Sequence, residues 1–182
     1  MEYRNILVIG LGNPILGDDG VGWRVGEAVQ EILNKESMGK ASDSQKYKID
    51  IECLAEGGLR LMEIMVGYDY AVIIDAITTH NQPIGSVSCF PIEKMPDLTA
   101  GHFASPHNTT LQTALQLGRE LNLSLPEKVI IIGIEAKKVY DLSEELTPSI
   151  KDSIPQAVHQ TIDLLKNLIS GSNSQEGKND IT

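Results

Sequence analysis

Several common sources of chemistry are missing from this 182-residue chain. Its two cysteines, Cys53 and Cys89, lie far apart inside strand-like patterns, so they make no zinc or dithiol motif and read as buried core thiols. H-E-x-x-H is absent, as is a G-x-S-x-G elbow, and neither cysteine has an obvious histidine partner, which removes three ordinary protease signatures. Basic residues are scarce: 15 Lys and Arg stand against 25 Asp and Glu, for a formal net charge of -10. Without a clustered basic patch, neither nucleic acid nor an anionic membrane surface is a fitting partner. No stretch approaches the ~18 apolar residues of a membrane helix, and no basic leader with a long apolar run opens the chain. The expectation is a soluble, cytoplasmic protein of one domain, with no internal repeat.

What is present centres on residues 6 to 25, ILVIGLGNPILGDDGVGWRV. Ile6 to Ile9 form an unalternated apolar run that needs cover on both faces, hence a buried strand. Gly10 and Gly12 turn the chain. From Val21, apolar residues fall at Val25, Ala28, Val29, Ile32 and Leu33, the 3.6-residue period of one helix face. Strand, glycine turn and helix suggest a phosphate site, because helix amides and close backbone approach suit an anion. Asp18 and Asp19 oppose that reading by placing two negative charges where the phosphates would lie. The glycine spacing also departs from G-x-G-x-x-G. A nucleotide-binding enzyme is therefore the alternative, and a cation is the better match. One of the two aspartates also suits the role of helix N-cap.

Further along, residues 36 to 47 are polar and small and read as a mobile loop. Lys48 to Leu54 alternates as a strand and leads through Glu56, Gly57 and Gly58 into a short helix from Leu59 to about Val66. Tyr70 to Ile74 is a second buried strand, ending on the charged Asp75. Gly85 to Ile92 reads as a strand wet on one face and suited to a sheet edge, its direction open. A helix with Leu111, Ala114, Leu115, Gly118 and Leu121 inward follows a loop containing His102 and His107. Lys128 to Ile134 is a third buried strand, and Glu135 opens a charged connection as a solvated carboxylate. Thr147 and Pro148 signal a final helix, with a capping hydroxyl before proline at the first helical position and Pro155 as a kink or boundary. The domain is expected to span residues 1–169, with 170–182 as a disordered tail.

This alternation predicts an α/β fold: a single three-layer α/β/α domain on a mostly parallel twisted sheet of about five strands, with an edge strand free to run antiparallel. Ligands of such sheets bind beyond the carboxyl ends of the strands, where the winding reverses. If the first and third strands are neighbours there, Asp19 and Asp75 emerge at one crevice. His107, ahead of the next helix, is placed to add a third side. Two carboxylates and an imidazole are an oxygen and nitrogen set suited to a divalent transition metal with positions left open. A lone histidine before a helix is more often a cap or surface residue, and His80, His102 and His159 carry the same ordinary reading.

Three motifs then occur in one order: GLGNPILGDDGVG, IIDA ending a strand, and SPHNTTL opening a helix. With ECLAEGGL and EELTPSI, they resemble the hydrogenase maturation endopeptidases over about residues 3 to 169. Some members have glutamate where this chain has Asp19, whose carboxylate is one methylene shorter. The resemblance implies an endopeptidase that removes a C-terminal extension from the large-subunit precursor of a nickel-iron hydrogenase once nickel is inserted. It implies that Asp19, Asp75 and His107 form the catalytic and metal-binding set, that the nickel is carried by the substrate, and that no organic cofactor belongs to the protein. Asp18 is expected to be a capping neighbour of the metal ligand. Gly12 and Asn13 are expected to shape the turn. A chaperone that senses nickel without cutting is the remaining rival.

Overall fold

The computed structural model describes residues 4–37, 47–95, 110–137 and 142–172. Most of the loop expected at 36–47, and residues 173–182 of the expected tail, lie outside them, as do His102 and His107. Five strands form one sheet: β1 (Arg4–Leu11), β2 (Tyr47–Leu54), β3 (Tyr70–Ile77), β4 (Val87–Pro91) and β5 (Lys128–Glu135). Their spatial order is β2-β1-β3-β5-β4. All neighbours are parallel except β4, which pairs antiparallel with β5 at the edge. The sheet is thus the mostly parallel one expected, and the direction of the wet strand is settled.

Strand parity divides the core in two, because successive side chains point to opposite faces. Ile6 and Val8 of β1, Val72 and Ile74 of β3, and Ile132 and Ile134 of β5 pack on one face under α1 (Val21–Ser37) and α4 (Pro148–Ser172). Leu7, Ile9, Ala71, Ile73, Val129 and Ile131 pack on the other, under α2 (Gly58–Ile64) and α3 (Leu111–Glu120). Unalternated apolar runs in the three central strands are the sequence form of this double cover.

Some boundaries differ from the sequence reading, each for a local reason. β3 continues past Asp75, since Ala76 and Ile77 still pair with Ile134 and Glu135. Pro155 lies within α4 without ending it. Both Pro155 and Lys151, whose carbonyl loses a helical donor there, are exposed residues in the first turns of the helix, outside its packed face. α4 runs to Ser172, past the expected domain boundary at 169. Leu121 is 62 % exposed because α3 stops at Glu120 and the chain turns outward. Cys89 is exposed on the edge strand instead of lying in the core.

Candidate functional site

The winding reverses between β1, which leads through α1 to β2 on one side, and β3 on the other. Beyond their carboxyl ends the chain makes an unusually tight turn. Gly12 has φ of +135°, and a Cβ there would lie 1.9 Å from the Asp19 carbonyl oxygen, so only glycine fits. Its amide donates to the Leu54 carbonyl at 2.9 Å, tying the turn to the end of β2. Asn13 forms an Asx turn, its Oδ1 accepting from the Ile15 amide at 3.2 Å. The Asn13 amide donates to Asp19 Oδ2 at 2.7 Å. Gly12 and Asn13 therefore shape the turn as expected, and Asn13 also orients one oxygen of Asp19.

Asp18 and Asp19 lie on a buried 3-10 turn, Gly17–Gly20, that packs against β3. α1 follows directly, and its second residue, Gly22, is wedged into the fork between two strands. A Cβ at Gly22 would lie 2.2 Å from both the Leu11 and the Ile74 carbonyl oxygens. This contact seats the Asp19 turn beside the strand end that carries Asp75. Asp19 is 1 % exposed and Asp75 0 %. Asp75 shares strand parity with Ala71 and Ile73, so it stands on the face covered by α2 and α3. The segment leading into α3 includes His107, which lies outside the described residues. Among the described residues, no group of three His, Cys, Asp or Glu side chains is arranged to hold a metal ion.

Asp18 does cap, but not the helix that follows it. Its Oδ1 accepts from the Thr147 amide at 2.7 Å and its Oδ2 from the Thr147 hydroxyl at 2.9 Å, 129 residues away. The Thr147 hydroxyl thus donates to Asp18. Gly17 donates to the Ser143 carbonyl at 2.6 Å, and Ser143 to the Ile15 carbonyl at 3.0 Å. The turn bearing both aspartates is in this way fastened to the chain entering α4.

Glu135 corrects the sequence reading outright. It is the last residue of β5, 2 % exposed, and its carboxylate accepts three hydrogen bonds: from the Thr79 amide at 2.8 Å, the Thr79 hydroxyl at 2.7 Å and the His80 amide at 2.8 Å. The signal was available, since an acid directly after a buried apolar run is also what marks Asp75.

A family model described as hydrogenase maturation protease matches residues 54–164, more than half of the chain. The chain belongs to this family. It is similar to the hydrogenase 2 maturation protease of Escherichia coli K12, 27% identical over 165 residues that cover 88% of this chain and 90% of that protein. It is also similar to the hydrogenase expression/formation protein HupD of Thiocapsa roseopersicina, 26% identical over 160 residues, covering 88% of this chain and 67% of HupD. Among solved structures, the [NiFe] hydrogenase maturation protease HybD of Thermococcus kodakarensis aligns at a TM-score of 0.57 and 26% identity, covering 88% of this chain and 99% of that one. The E. coli endopeptidase HybD shares the fold at a TM-score of 0.64 and 22% identity, covering 90% and 93%.

The protein is therefore a peptide hydrolase, and its thiols are poor candidates for the nucleophile. Burial pushes the Cys53 thiol up to about 11, with further upward pressure from the Glu27 and Glu52 carboxylates. Cys89 is on β4, at the edge of the sheet. A pocket of about 270 Å³ between the ends of β4 and β5 includes Cys89, Glu93 and Lys128, at the opposite end of β5 from Glu135. Among the described residues, no helix is long and apolar enough to cross a membrane.

Proposed function

We propose that the protein cleaves the C-terminal extension of a nickel-iron hydrogenase large-subunit precursor after nickel has been inserted, and that Asp19, Asp75 and His107 recognise the nickel in that substrate. The observation that carries this reading is the contact of Gly22 with the Leu11 and Ile74 carbonyls, which seats two buried carboxylates at one rim of the sheet. Carboxylates gathered at one place repel each other, and a divalent cation brought by the partner relieves that repulsion. The names of the relatives supply the substrate class. The Cys53 thiol, held neutral at physiological pH, leaves the chemistry to water.

In this reading Asp19 and Asp75 grip the precursor's nickel from two sides, and His107 completes the grip. The scissile carbonyl is thereby placed beside the cation and polarised. One of the aspartates takes a proton from water as its oxygen bonds to the carbonyl carbon; the C–N bond breaks and the proton passes to the departing amine. Asn13, which donates to Asp19 Oδ2, holds that carboxylate in a fixed orientation at the rim. The charge balance of the chain and its cysteines fit a reaction in the cytoplasm, on a protein substrate, without nucleic acid or membrane.

The deciding experiment is mass spectrometry of nickel-loaded precursor incubated with the protein. Loss of a C-terminal peptide supports the proposal. An intact C-terminus under conditions that sustain hydrogenase maturation would instead favour a chaperone that senses nickel without cutting.

A further inference from the structure

Glu135 fastens both ends of the loop between β3 and β4. Its main chain takes the far end: Glu135 N donates to the Ser86 carbonyl at 2.9 Å, and Gly85 N donates to the Glu135 carbonyl at 2.8 Å. Its carboxylate takes the near end, through the Thr79 and His80 amides and the Thr79 hydroxyl. One residue thus clamps a loop whose His80 to Ile84 are all exposed. His80 has φ of +59°, a conformation that disfavours any residue with a Cβ and persists only where the surroundings enforce it. Here the buried carboxylate enforces it.

The loop also belongs to the same rim as the two aspartates. A Cβ at Gly85 would lie 2.6 Å from the Ser149 carbonyl, in the first turn of α4. Ser149 is two residues beyond Thr147, which binds Asp18, the neighbour of Asp19. A continuous path of contacts therefore runs from the Asp19 turn through the start of α4 to the loop. From Ala76 to Ile92 there is no Asp, Glu, Lys or Arg, although the chain as a whole carries a net charge of -10. The loop offers a partner polypeptide amides, hydroxyls and apolar surface, with no Asp, Glu, Lys or Arg that would have to be desolvated.

We propose that Glu135 is a positioning residue that holds residues 79–86 as a preformed wall against which the substrate polypeptide docks, so that it governs substrate affinity more than bond cleavage. Holding the loop in its bound shape removes an ordering cost from association. The proposal rests on the protease reading, and measuring binding separately from cleavage keeps the two distinguishable. The dissociation constant of nickel-loaded precursor, determined by titration calorimetry, and kcat, determined from released peptide, are compared for wild type, Glu135→Ala, Glu135→Gln and Thr79→Val. Glu135→Ala is expected to weaken binding about tenfold while kcat changes by no more than about twofold. Glu135→Gln should bind as wild type does, because its carbonyl can accept both amides and its NH2 can donate to the Thr79 hydroxyl. Thr79→Val, which removes the hydroxyl that donates to Glu135 and accepts from the Asn81 amide at a half-buried position, should weaken binding about threefold and serves as the test should Glu135→Ala fail to fold. Wild-type affinity in folded Glu135→Ala or in Thr79→Val, a loss confined to kcat, or a glutamine variant as weak as alanine would overturn the proposal. Wild type that binds the precursor without cutting it would instead overturn the protease reading alone.

Discussion

Asp18 and Asp19 are chemically identical neighbours with different work, and their hydrogen bonds say which is which. Asp18 uses both oxygens on Thr147, while Asp19 Oδ2 receives the Asn13 amide. Truncating Asp18 leaves the Thr147 amide without its acceptor, so Asp18→Ala is expected to cost about 1–3 kcal/mol in urea unfolding. Asp19→Asn and Asp75→Asn remove charge from the rim with little change of shape. Each is expected to slow processing of nickel-loaded precursor by about 100-fold or more while the melting temperature stays within a few degrees of wild type; near-normal processing by either would contradict their assignment. Cys53 should be a bystander. With its thiol at about 11, only about one molecule in ten thousand is thiolate at pH 7, so alkylation should be slow, rise about tenfold per pH unit through pH 9 and level off only near 11. At this scale Asp75 was legible because charge interrupts an apolar run. Glu135 gives the same signal, but Lys137, Lys138, Asp141, Glu144 and Glu145 follow it closely, so in sequence it merges with a charged connection. The Asp18 partner, 129 residues distant, left no local trace.

At the scale of elements, the decisive feature is the fork between β1 and β3 into which α1 is driven. A methyl group at Gly22 would have to occupy the space of two backbone carbonyl oxygens, neither of which can rotate away. Gly22→Ala is therefore expected to destabilise the fold by about 3 kcal/mol or more, or to prevent its accumulation, as measured by chemical denaturation. Periodicity made most elements readable, since the three central strands are uniformly apolar and the α1 face repeats at helical spacing. Ends were harder. β3 outlasts Asp75 because its ladder partner β5 continues to Glu135, a pairing invisible in either strand alone. α4 absorbs Pro155 on its exposed side, and sequence does not show which side of a helix is wet at its first turns.

For the whole molecule, the order β2-β1-β3-β5-β4 gathers residues far apart in the chain at one end of the sheet. The Asp19 turn, the Asp75 strand end, the start of α4 and the Glu135-clamped loop are joined there by hydrogen bonds or close backbone contact. In the proposed function this rim receives the precursor, and its two buried aspartates meet the cation that the precursor carries. Two samples of the same precursor, one loaded with nickel and one without, incubated with the protein and analysed by intact mass, test this claim most directly. The account predicts that the nickel-loaded sample loses its C-terminal peptide and the nickel-free sample stays whole. Equal cleavage of both samples, or of neither, would contradict it.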